Sequence, residues 1–147
     1  MRLEKYKTEI DDTHKIYEFV SDGLKGLVKK RVIFEQLGDK NIFNLAFGDV
    51  NTETNEFDDL VITDNGDIEK VLATVAATVY NFLEQYPYAI VIATGSTPTR
   101  TRLYKIKISK NLEEIKKDFS IMGLTENSQW VVFNKTESYS AFYIKRR

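Results

Sequence analysis

The stretch that decides the fold is Asp64-Asn65-Gly66-Asp67 followed by IEKVLATVAATVYNFLEQ, residues 68–85. Apolar side chains fall at Ile68, Val71, Leu72, Val75, Ala76, Val79, Phe82 and Leu83. That i, i+3, i+4, i+7 spacing predicts one amphipathic helix with a stripe facing a sheet. The preceding Asp-Asn-Gly-Asp supplies N-cap chemistry and negative charge for the positive helix end. Pro87 stops the helix. The apolar and β-branched content of the stripe predicts a well-buried element.

Upstream of this helix the chain reads as β. Ile16 to Val20 is a short strand, closed by the turn cluster Ser21-Asp22-Gly23. Leu27 to Gln36 sets Leu27, Val32 and Phe34 among Lys29, Lys30, Arg31 and Glu35, with Ile33 breaking the alternation. Gly38-Asp39-Lys40-Asn41 is a hairpin-type turn into Ile42 to Val50, with Phe43, Leu45 and Phe47 on one face. After a polar turn, Phe57 to Thr63 gives the next strand of an antiparallel meander.

Downstream, Ala89 to Ala93 is a short apolar run between Pro87 and Gly95, read as a buried strand. Ser96 or Thr97 then caps a helix from about Pro98 to Ser109, with proline at the favoured first position. A competing reading stays open. Tyr104-Lys105-Ile106-Lys107-Ile108 alternates with period two, which suits a hairpin partner for residues 90–93. Asn111 caps a further helix, Leu112 to Phe119, and Gly123 begins its exit. Trp130 to Phe133 and Ala141 to Lys145 read as a closing hairpin around Asn134 to Ser140. The order predicts an α+β fold: a largely antiparallel sheet with two or three helices packed on one side. Residues 1–15 read as a polar N-terminal segment and 16–147 as a single domain, for no Pro/Gly/Ser-rich linker divides the chain.

Composition bounds the chemistry. The 147 residues include no cysteine, which excludes disulfides, thiolate nucleophiles and cysteine-based zinc sites. It also fits a reducing compartment. No apolar run reaches the ~20 residues of a membrane span, and the opening MRLEKYKTEIDDTHK has no apolar core of a signal peptide. The expected setting is the cytoplasm, away from the membrane. Residues 1–67 carry 9 basic and 15 acidic side chains, whereas residues 68–147 carry 12 and 7. Such an imbalance marks an anion-binding face or a mutual attraction of the two halves.

The motifs for catalysis are thin. His14 is the only histidine and lies in a polar segment, where it reads as a solvated side chain. The run Asp49-x-Asn51-x-Glu53-x-Asn55 fails as a calcium loop, because its sixth and twelfth positions are Thr54 and Leu60 instead of Gly and Glu. Glu113-Glu114 and Lys116-Lys117 read as ordinary helical ion pairs. Most aromatic residues, Phe19, Phe34, Phe43, Phe47 and Phe57 among them, fall at core-like positions. One segment is sharper. No acid lies between Glu84 and Glu113, while Arg100, Arg102, Lys105, Lys107 and Lys110 all do. Ser96 and Thr97 would sit at a helix start, where free N–H groups favour an anion. Arg100 and Arg102 would add forked hydrogen bonds to phosphate.

Four stretches carry a family likeness: YEFVSDGLKG at 17–26, IFNLAFGDVNTETNE at 42–56, DNGDIEKVLATVAATVY at 64–80 and GSTPTRTRLY at 95–104. Over residues 15–147 the chain resembles a Bacteroidetes-type family of short, uncharacterised bacterial proteins carrying a domain of unknown function. The resemblance implies a stand-alone bacterial domain and transfers no activity, cofactor or catalytic residue.

The residues therefore point to a non-enzymatic binding or interaction module without a cofactor. Its candidate anion site is Ser96, Thr97, Arg100, Arg102, Lys105 and Lys107, and its expected partner a nucleic acid or a phosphorylated ligand. The alternatives are a metal-assisted enzyme on a phosphorylated substrate, using Asp58, Asp59 or Asp64, and a module that binds only protein.

Overall fold

Nine strands and three helices are present among the described residues, and most strand pairings are antiparallel, so the fold is α+β. The structure, a computed structural model, describes residues 4–38, 40–58, 63–95 and 97–147. The chain divides into two compact units: Met1–Glu35 with Ala46–Gln85, and Gln36–Leu45 with Tyr86–Arg147.

In the first unit, α1 (Ile68–Gln85) forms over the predicted stretch. Its buried face is broader than the stripe read from the sequence. Ala73, Thr74 and Thr78 are buried as well, while Ile68 stays 40% exposed. The two threonines enter because their hydroxyls donate back to the helix, Thr74 to the Lys70 carbonyl at 2.7 Å and Thr78 to that of Val75 at 2.6 Å. Strands β1 (Glu9–Ile10), β2 (Ile16–Gly23) and β3 (Gly26–Gln36) follow in spatial order, antiparallel at both β1–β2 and β2–β3. Then comes β4 (Ile42–Asn51), whose far end pairs with β5 (Glu56–Asp58). The Phe34 ring stacks on Phe82 of α1 at 4.2 Å, and Tyr17 packs edge-on to Phe34. Phe19 and Phe47 stack nearby.

Two local expectations are corrected here. Ser21-Asp22-Gly23 is the end of β2, not a turn; Gly23 pairs with Gly26, so the hairpin turns on Leu24-Lys25. Tertiary contact decides this: the buried Asn65 accepts from the Lys25 N–H and donates to the Gly26 carbonyl and Ser21 hydroxyl. The strand expected at Phe57 to Thr63 is Glu56–Asp58; residues 59–62 lie outside the described residues, and Thr63 is not in a strand. Phe19, Phe34, Phe43 and Phe47 are core residues as expected, and Phe57 is half-buried.

In the second unit, the Ile42–Leu45 part of β4 runs parallel to β6 (Ile90–Ala93). Helices α2 (Pro98–Lys110) and α3 (Leu112–Asp118) come next in the chain, then β7 (Phe119–Leu124), β8 (Trp130–Val132) and β9 (Ala141–Arg146). The spatial order is β4-β6-β9-β7-β8. β9 is antiparallel to both β6 and β7. Thus the expected closing hairpin does not form: β8 and β9 lie on opposite sides of β7. Phe119, expected to end a helix, opens β7 instead, and residues 120–124 add a strand the sequence reading lacked. Phe119, Ile121 and Gly123 alternate inward with period two, and that buried face outweighs the helical pattern running into it from α3.

Candidate functional site

The period-two alternation at 104–108 loses to helix capping. The Thr97 hydroxyl accepts from the Arg100 N–H at 3.3 Å and Pro98 opens α2, so the segment is helical as first read. Gly95 fits against that first turn. Its N–H donates to the Thr101 hydroxyl at 3.1 Å, and a Cβ there would lie 2.3 Å from the Thr101 backbone nitrogen. Only a residue without a side chain admits this approach. The first turn carries no acid, and the last carries Lys107 and Lys110.

At about 100° per residue, the helix distributes its cations between two stripes. Arg100, Tyr104 and Lys107 follow i, i+4, i+7 along one; Arg102 and Lys105 follow i, i+3 along another. Arg102 is exposed, Arg100 and Lys105 are half-buried, and Lys107 is buried at 7% exposure. Ser96 lies outside the described residues.

The acidic residues of the first unit have mainly structural partners. Asp49 is buried and accepts from Lys30 Nζ at 2.7 Å, from the Thr63 N–H at 2.8 Å and from the Thr63 hydroxyl at 2.6 Å. Asp64 accepts from the Gly66 N–H, and Asp58 sits on β5. Asp59 lies outside the described residues. Among the described residues no group of three or more acidic or histidine side chains is placed to hold a metal ion. His14 is not freely solvated: it is half-buried, with Nδ1 3.2 Å from Asn81 Oδ1.

One feature of the second unit escaped the sequence reading. Ser120, Met122, Trp130, Tyr143, Lys145, Arg146 and Arg147 line a shallow cleft of about 480 Å³. Met122 is paired directly with Tyr143 and with Val132, and Ser120 with Lys145, so these side chains share one sheet face. The Trp130 and Tyr143 rings lie 5.7 Å apart at 52°. Sequence carries only half the signal. The alternation of Tyr143 and Lys145 is visible, but Trp130 reaches Tyr143 only through β7.

No helix among the described residues is long and apolar enough to cross a membrane. The model of a family of unknown function (DUF6934) matches residues 2–147, so the chain belongs to that family. No curated protein and no solved structure matches it.

Proposed function

We propose that this member of a family of unknown function is a non-catalytic binding module whose Ser96–Lys107 segment contacts the phosphates of a nucleic acid or nucleotide. The observation that carries the reading is one capped helix with five basic residues (Arg100, Arg102, Lys105, Lys107 and Lys110) inside a run with no acid from 85 to 112. Arg100 and Arg102 are the anchors, since a guanidinium grips phosphate in a planar fork. Lys105 adds charge, the buried Lys107 acts only through its field, and Thr97 offers a hydroxyl and a backbone donor at the helix start. A cytoplasmic, bacterial setting belongs to the same reading; the cysteine-free composition and the family likeness support it.

Fluorescence anisotropy with labelled single- and double-stranded oligonucleotides tests the reading. The parent protein should bind and weaken as salt rises, through counterion release. For the duplex, Arg100→Ala combined with Arg102→Ala should lose about tenfold or more in affinity. Equal or negligible binding of the duplex by both proteins removes the proposal.

A further inference from the structure

The sheet of the second unit has one dry face and one open face. Val91, Phe119, Ile121 and Phe142 are buried on the first. On the other, Met122, Tyr143 and Ser120 are half-exposed, Trp130 and Lys145 are exposed, and Val132 is 75% exposed. The open face is therefore aromatic and apolar at its centre. It is also cationic at one end, where Lys145 and Arg147 alternate along the same side of β9 as Tyr143. Among the described residues, no carboxylate side chain lines the cleft.

We infer that this face is a platform for single-stranded nucleic acid, with bases stacking on Trp130 and Tyr143 while Lys145 and Arg147 hold the phosphates. Two features select this occupant. Tilted rings on an uncovered sheet face offer π-surfaces to unpaired bases, which a duplex keeps stacked internally. The cation cluster beside them matches a phosphate backbone, whereas it would repel the same cluster on a second copy of the chain packed symmetrically on this face. Arg147 Nε is 3.4 Å from the Phe119 carbonyl, which ties that side chain to the end of β7. The site is separate from the α2 segment and does not depend on it.

Trp130 is the single tryptophan of the chain, so its emission reports on this face alone. The full chain is titrated at low salt with a fifteen-nucleotide oligo(dT), with the same sequence as a duplex, and with inorganic polyphosphate. Saturable quenching by the single strand is expected, much weaker by the duplex and absent with polyphosphate. Two phosphate contacts predict about sevenfold weaker binding when salt rises fourfold. Tyr143→Ala should weaken binding about tenfold or more, and Tyr143→Phe should preserve it. Arg100→Ala with Arg102→Ala should leave the saturating quench intact, which separates this site from the α2 segment. Absent quenching, or equal quenching by polyphosphate, overturns the inference. So does an emission change that follows protein concentration without oligonucleotide, which would mark the face as a contact between copies.

Discussion

Lys30 Nζ lies 2.7 Å from Asp49 Oδ1, and the lysine is 1% exposed. This ion pair is built into the core of the first unit, with the Thr63 carbonyl as a second acceptor for the ammonium and the Phe47 ring 5.9 Å from it. Lys30, Val32 and Phe34 occupy the same face of β3, so a charge takes a position that periodicity assigns to the interior.

Removing one partner of such a pair leaves the other buried and unpaired. Lys30→Met alone should therefore cost about 3–5 kcal/mol in urea unfolding. The combination Lys30→Met with Asp49→Asn should cost clearly less than the two single changes added together. Strict additivity would show that the two side chains are not coupled.

Asp67 Oδ2 accepts from the Ser21 hydroxyl and the Tyr6 hydroxyl, each at 2.5 Å. Burial pushes this carboxyl up, but those two hydroxyls, its backbone amide and the Lys30 charge outweigh it, so its pKa lies below the ordinary value. A depressed acid stabilises the fold above its unfolded pKa of about 3.9 and loses that contribution as pH falls through the folded value. Asp67→Asn should lower stability at pH 7 by about 1–2 kcal/mol and flatten the pH dependence below about pH 4. An unchanged acid limb in chemical denaturation from pH 7 to pH 2 would contradict this.

At Gly123 a Cβ would lie 2.4 Å from the Tyr139 ring, which is buried and whose hydroxyl accepts from the Asn134 N–H at 2.9 Å. The ring is held at both ends and cannot simply swing aside. Gly123→Ala should cost about 1–3 kcal/mol. At this chain length that is a fall of roughly 3–10 °C in Tm. Scanning calorimetry checks it, and a Tm within a degree of the parent would show that the ring yields.

Thr97→Ala removes the side-chain acceptor for the Arg100 N–H. Loss of such a cap costs about 1 kcal/mol, while Thr97→Ser keeps it. Urea unfolding of the two variants should separate them by that amount. Indistinguishable midpoints would mean that the hydroxyl contributes nothing to α2.

Local chemistry made a good part of the fold legible. The spacing of Val71, Leu72, Val75, Val79, Phe82 and Leu83 specifies α1, and Thr97-Pro98 specifies the start of α2, because both signals are complete within a few turns of chain. The candidate anion segment was legible as composition, since an acid-free run needs no fold to be seen. How its cations are divided was not: Lys107 is buried while Arg102 is exposed, and only the packing of α2 distinguishes them.

What the chain order by itself determined is the α+β class, the helices and most strands, because periodicity and capping act over neighbours. Partnership was decided by tertiary structure alone. Nothing local says that β7 separates β8 from β9, that Asn65 moves a hairpin turn by two or three residues, or that Lys30 meets Asp49. Nor does it say that Trp130 meets Tyr143. Each of these joins residues brought together by burial, and the free energy of burial belongs to the assembled sheet, not to any segment read alone.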